Sequence, residues 1–230
     1  MTDKKRGYGA GAALAWVVAV CPLLLTGVMV ALLTNNATRG FAIRISRENS
    51  VIELVTAGLM LAGGVFGLVN AWRARKRREH LLVWGFLAMF SVAMLFVGME
   101  EIAWGQKLFA FETPASLQNL NKQHEMTLHN LPGLHGRSDM MWSTFALGGL
   151  IGIGLRSRPI FGKIATEPAI APWFIIVLAI GATMIYKDYA DTNNRLFTLV
   201  HRMDEFNEML IAMACCLYLW FCSRRLKSAA

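Results

Sequence analysis

The sequence predicts an all-α membrane protein, a bundle of six transmembrane helices with one further amphipathic helix on the outer membrane surface. Apolar residues make up 55% of the 230-residue chain and charged residues only 17%, a balance far from that of soluble domains. Six apolar runs approach the length of about 20 residues that a helix needs to cross a hydrocarbon layer of about 30 Å. The alternation of polar and apolar residues that a membrane barrel requires is not found.

The six apolar runs are expected to be helices, because lipid offers no hydrogen-bond partner to the backbone. The third run ends on two adjacent glutamates, Glu100 and Glu101, and the fourth is short and rich in glycine. We expect a single membrane domain over residues 1–230. The predicted spans cover residues 11–33, 52–72, 81–99, 140–155, 170–186 and 208–222.

The lysines and arginines fall mostly on one side of these spans. Clusters precede the first span, separate the second from the third and the fourth from the fifth, and follow the sixth. Because cations concentrate in cytoplasmic segments, both termini are expected in the cytoplasm. The net charge of +8 is then explained by topology and contact with anionic lipid, and no nucleic-acid partner is expected.

The segment after the third span is predicted to form an interfacial helix over residues 115–131. Leu120 and Leu128 belong to an apolar stripe at helical spacing, and polar residues share the opposite face. Pro114 near its start and Pro132 just after it suit a short helix bounded at both ends. This helix would lie on the extracytoplasmic leaflet.

Acidic residues and histidines collect on that outer side. Glu125 and His129 are four residues apart, a spacing that lets a carboxylate and an imidazole hold one metal ion or form an acid/base pair. Before the sixth span, His201, Glu205 and Glu208 would lie on one helical stripe. A structural explanation stays open, since acids in the first turn of a helix interact favourably with its dipole.

The pair Glu100 and Glu101 is placed less favourably. Both stand at the C-terminal, negative end of the third span, where an acid is disfavoured by about 0.3 to 1 kcal/mol. A bound cation, Lys107, an arginine from another loop, or water would compensate them. Carboxylates at a membrane boundary suggest a functional site.

The residues around these acids resemble a known pattern. GMEEIAWGQ at residues 98–106, followed by QHEMTLHN at residues 123–130, resembles a signature of uncharacterised bacterial multi-pass membrane proteins. The resemblance implies a bacterial inner-membrane location and names no reaction. It adds Trp104, Gln106 and Asn130 to the candidate site residues.

Two classes of function follow from these observations, and the sequence does not decide whether the protein is an enzyme. In the first, a divalent metal (zinc, iron or manganese) activates water against a lipid or lipid-linked substrate. In the second, the protein transports a cation, a proton or a small solute, or joins a membrane protein partner or its own copies as an assembly subunit. The predicted catalytic residues are Glu101, Glu125 and His129, the predicted metal ligands are Glu100, Glu101, Glu125, His129, Glu205 and Glu208, and the further candidates are Trp104, Gln106, Asn130, Asp188 and His201.

Overall fold

The computed structural model describes residues 6–47, 50–109, 113, 127, 138–190 and 194–228. Within this part of the chain all regular structure is helical, so the all-α prediction is confirmed there. Short 3₁₀ turns lie at Ala103–Gly105, Leu155–Ser157 and Pro168–Ile170. The α-helices are α1 Arg6–Thr34, α2 Arg39–Ile45, α3 Val51–Lys76, α4 Leu81–Glu101, α5 Gln106–Phe109, α6 Ser138–Gly154, α7 Ala171–Ala190, α8 Arg195–His201 and α9 Asp204–Ser228.

Five of the described helices are long and apolar enough to cross a membrane, as the prediction of a multi-pass protein requires. They contain the predicted first, second, third, fifth and sixth spans. Each runs past its predicted bounds, because hydropathy marks only the apolar middle of a helix whose polar ends continue into the headgroup layer. The five segments are Gly11–Thr34, Val51–Lys76, Leu81–Glu101, Pro168–Ala190 and Asp204–Lys227.

The predicted fourth span corresponds to α6, which is a 17-residue helix. Its length of about 26 Å at 1.5 Å per residue is short for a hydrocarbon layer of about 30 Å. It packs against α7, where a Cβ built on Gly181 would lie 3.0 Å from the Asp139 carbonyl oxygen. Its Gly152 O accepts from Thr166 N, in the connection before α7, at 3.2 Å. The predicted interfacial helix over residues 115–131 lies outside the described residues, apart from Thr127.

One end of the bundle is tied together by ion pairs between segments far apart in the sequence. Lys163 Nζ lies 2.6 Å from Glu79 Oε2. Glu167 accepts from two arginines, Arg156 at 2.8 Å and Arg225 at 3.0 Å. The connections from α3 to α4 and from α6 to α7 therefore meet the C-terminal end of α9 at this end, which carries the predicted cytoplasmic cations.

Helices α3 and α4 approach each other closely at small residues. A Cβ on Gly64 would lie 3.0 Å from the backbone oxygen of Ser91, and one on Gly67 would overlap the Ser91 hydroxyl. Small residues at such crossings let two backbones approach in a membrane. This packing sets the C-terminal end of α4 beside the start of α3, at the end of the bundle opposite the ion pairs.

Candidate metal centre

Helix α4 ends at Glu101 because the backbone turns left-handed just beyond it. Ala103, Trp104 and Gly105 have φ values of 46°, 56° and 84°, and Gly105 N donates to Ile102 O at 2.9 Å. For a non-glycine residue this conformation costs on the order of 1–3 kcal/mol, and such strain collects at functional sites. The turn thus marks the end of α4 as a place where function is to be sought.

The two glutamates at this helix end have different environments. Glu100 is buried, with 6% of its surface exposed, and its Oε1 accepts a hydrogen bond from Trp104 Nε1 at 2.5 Å. The Trp104 ring meets Phe96 edge to face, with centroids 5.7 Å apart. Glu101, one residue on, is turned by about 100° around the helix and faces α9 instead.

Glu101 meets Glu205 and Glu208 of α9. One carboxylate oxygen from each residue lies within 4.8 Å of the other two, and all three side chains are half-buried. We call these three residues the Glu cluster. Glu205 and Glu208 are one turn apart on α9 and so share a face. The structure thereby joins three of the predicted metal ligands, from two helices that are more than a hundred residues apart in the sequence.

The Glu cluster concentrates negative charge. Two unit charges 4.8 Å apart repel by roughly 3–4 kcal/mol at an effective dielectric constant near 20. Glu53 and Asp204 also act electrostatically on Glu208. Glu53, Glu101 and Glu205 each have a further polar or electrostatic partner in the protein. A divalent cation bound among the three carboxylates would offset the repulsion directly.

The ligand type indicates which cation fits. Carboxylate oxygens suit hard ions such as Mg²⁺, Ca²⁺ and Mn²⁺, whereas Zn²⁺ and Fe²⁺ sites usually include nitrogen or sulfur. Of zinc, iron and manganese, manganese matches the all-carboxylate cluster best. The predicted histidine ligand His129 lies outside the described residues, as do Glu125 and Asn130.

The other described candidate residues are not members of the Glu cluster. His201 is exposed and its Nδ1 pairs with Asp204 Oδ2 at 2.9 Å. It does not continue the stripe of Glu205 because α8 ends at His201 and α9 begins only at Asp204. Gln106 Nε2 donates to Thr113 Oγ1 at 2.6 Å. Asp188 is exposed near the end of α7.

Two residues near the end of the bundle that holds the Glu cluster were not predicted from the sequence. Burial raises the pKa of Asp139 to about 6, the charge of Asp188 adds to the rise, and Lys187 opposes it. Asn207, directly before Glu208, is fully buried, and its amide nitrogen and oxygen have no hydrogen-bond partner among the described residues. An asparagine at the start of an apolar run was the signal that could have identified Asn207. No comparable signal in the sequence pointed to Asp139.

No protein-family model, curated protein or solved structure matches this chain. The resemblance of residues 98–130 to uncharacterised bacterial membrane proteins stays a prediction. The functional interpretation of the Glu cluster therefore rests on its own geometry and chemistry.

Proposed function

We propose that this protein is a metal-dependent enzyme of a bacterial inner membrane that acts on a lipid or lipid-linked substrate at the extracytoplasmic face. The observation that supports the proposal is the approach of Glu101, Glu205 and Glu208 to within 4.8 Å of one another. Three carboxylates from two helices form a preorganised set of oxygen ligands, which divalent cations prefer.

The position of the Glu cluster supports the choice of substrate. Its residues come from the C-terminal end of α4 and the first two turns of α9, both membrane-spanning helices. The ends of such helices lie near the boundary between hydrocarbon and headgroups. A bound divalent cation would polarise a phosphoryl or carbonyl oxygen and lower the pKa of a bound water, and lipid headgroups present such oxygens at this depth.

The proposal includes six membrane crossings with both termini in the cytoplasm. This count is supported by the packing of α6 against α7, with Asp139 beside Gly181 and Gly149 beside Phe174. Further along, Gly152 O accepts from Thr166 N in the connection that leads to α7. The 3₁₀ turn Leu155–Ser157 extends α6 by about 6 Å, at about 2 Å per residue. The ion-paired end then faces the cytoplasm, and the Glu cluster faces outward.

Metal binding is tested first, with Mn²⁺ as the probe. Purified wild-type protein is expected to retain Mn²⁺ near one ion per chain. Mn²⁺ at one hundred times Kd is expected to raise the free energy of unfolding by about 2.7 kcal/mol, and so to raise the unfolding temperature. Glu208→Gln is expected to lose both effects. Without metal this variant is expected to unfold at a higher temperature than wild type, because one repelling charge is gone.

Asp188→Asn is the matched control, since it removes an exposed acid of the same end of the bundle outside the Glu cluster. It is expected to bind Mn²⁺ like wild type. Equal Mn²⁺ retention by wild type and Glu208→Gln would contradict the metal site. Catalysis is then tested in Mn²⁺-loaded proteoliposomes made from bacterial lipid extract, with mass spectrometry of the products. Lipid turnover that Glu208→Gln lacks supports the enzyme, and unchanged lipid in every sample argues against it.

Cation or proton transport is the second candidate, favoured by a different observation. Buried polar side chains occur inside the bundle: Thr56, Ser91 and Asn207 are fully buried. The hydroxyls of Thr56 and Ser91 donate to carbonyls of their own helices, whereas the side-chain amide of Asn207 has no hydrogen-bond partner within the described part of the chain. Selective ion flux into sealed proteoliposomes, lost in Asn207→Leu, would favour transport over catalysis.

A further inference from the structure

The segment that follows Glu101 has an unusual backbone. Three consecutive residues, Ala103 to Gly105, have positive φ values, a region that side-chain-bearing residues rarely adopt. Ala103 is fully buried and Gly105 is buried beside it. A conformation of this kind persists only where the surrounding contacts determine it. The contacts that hold this turn therefore matter.

Trp104 supplies the most specific of these contacts. Its indole folds back over the last turns of α4, where Nε1 donates to Glu100 Oε1 at 2.5 Å. Its ring also lies against Phe96, two turns earlier in the helix, at a 72° interplanar angle. The left-handed turn is thus held against α4 by one polar and one aromatic contact.

These contacts fix the backbone on both sides of Glu101. Glu100 precedes it and is held by Trp104. Ile102 follows it and accepts a hydrogen bond from Gly105 N at 2.9 Å. The Glu101 side chain therefore leaves α4 from a turn whose neighbouring residues are both held, and it reaches the face of α9 that carries Glu205 and Glu208.

We propose that Trp104 and Glu100 are positioning residues that hold the Glu101 carboxylate in the Glu cluster. What Glu101 does there rests on the proposed metal function, but its placement is a separate, measurable property. Loss of a residue that orients a metal ligand typically weakens metal affinity by about 10- to 100-fold. Trp104 and Glu100 would orient Glu101 through the backbone beside it.

The test separates the indole N–H from the ring. Trp104→Phe keeps an aromatic ring for Phe96 but removes the donor to Glu100, and it is expected to weaken Mn²⁺ binding about tenfold or more. Glu100→Gln keeps an acceptor oxygen but weakens this hydrogen bond by removing its charge, so its Mn²⁺ affinity is expected to fall less than that of Trp104→Phe. Trp220→Phe changes a tryptophan that stacks with Arg224, and no change in Mn²⁺ affinity is expected.

A second measurement reports the placement of residue 101 without metal. In protein whose native cysteines are replaced by alanine, the thiols of Glu101→Cys and Glu205→Cys are expected to be joined by a short bis-maleimide cross-linker, which spans the gap left when two glutamates are shortened to cysteine. Adding Trp104→Phe is expected to slow that cross-link several-fold, and adding Trp220→Phe is not. If Trp104 only stabilised the fold, Trp104→Phe would lower the unfolding temperature and leave the cross-linking rate unchanged.

The outcomes distinguish this inference from the proposed function. If Trp104→Phe binds Mn²⁺ and cross-links like its parent, the positioning role is overturned, and the metal site stands. If wild type binds no Mn²⁺ while cross-linking depends on Trp104, positioning stands and the proposed function fails. If cross-linking is independent of Trp104 and wild type binds no Mn²⁺, both are overturned.

Discussion

Glu100 and Glu101 are neighbours in the sequence, yet their carboxylates have different surroundings. A rotation of about 100° per residue separates a buried group that accepts from Trp104 from a group that meets two glutamates of α9. Both were predicted metal ligands from the sequence. Residue by residue, Glu101 belongs to the cluster and Glu100 to its support.

At the same scale, Asp139 is expected to make stability depend on pH. Its folded-state pKa is raised from 3.8 to about 6, mainly by burial. Above its unfolded pKa the folded protein holds this proton more tightly than the unfolded chain, so stability falls as pH rises through that window. Asp139→Asn is therefore expected to raise the unfolding temperature near pH 8 and to leave it unchanged near pH 4.

Thermal unfolding in detergent, followed from about pH 4 to about pH 8, provides the measurement. Asp188→Asn removes a charge that raises the Asp139 pKa, so it is expected to shift the curve in the same direction by a smaller amount. If the plots of unfolding temperature against pH ran parallel for wild type and Asp139→Asn, Asp139 would have the same pKa in the folded and the unfolded protein.

Among the elements, the contact between α6 and α7 depends on one glycine more than on its neighbour. A Cβ on Gly149 would lie 2.4 Å from the Phe174 ring, whereas one on Gly148 meets nothing within 4 Å. Gly149→Ala is expected to destabilise the protein by about 1–3 kcal/mol, the usual cost of overpacking. The measurement is unfolding by heat in detergent.

Gly148→Ala is the matched control, on the same helix and one residue away. It is expected to be neutral or to stabilise by up to about 1 kcal/mol, because alanine is the better helix former. Equal losses in the two variants would mean that α6 does not pack on α7 through Gly149.

For the whole molecule, the two ends of the bundle differ in chemistry. One end holds the ion pairs Lys163–Glu79 and Arg225–Glu167, and the other holds the Glu cluster. The proposed six crossings would place Arg78 and Arg158 together in the cytoplasm and Asp188 outside.

Single cysteines at these three positions, in otherwise cysteine-free protein, test that topology. A membrane-impermeant maleimide is expected to label Asp188→Cys in intact cells, and Arg78→Cys and Arg158→Cys only after permeabilisation. Labelling of Arg158→Cys in intact cells, with Arg78→Cys protected, would mean that α6 does not cross the membrane.

Much of the fold could be predicted because hydropathy is a local property. Five apolar runs became helices long enough to span, and the spacing of Glu205 and Glu208 already placed them on one face. The predicted fourth span became the short helix α6, whose run of glycines and limited length left its extent to packing against α7.

What the sequence by itself determined is that the protein is helical, apolar enough for a membrane, and acidic at the ends of α4 and α9 that form the Glu cluster. Only the tertiary structure brought Glu101 to α9, ended α4 in a left-handed turn, and separated His201 from the stripe of Glu205. The physical reason is that each of these depends on contacts between distant segments or on a local break in helix geometry. Periodicity and hydropathy describe neither.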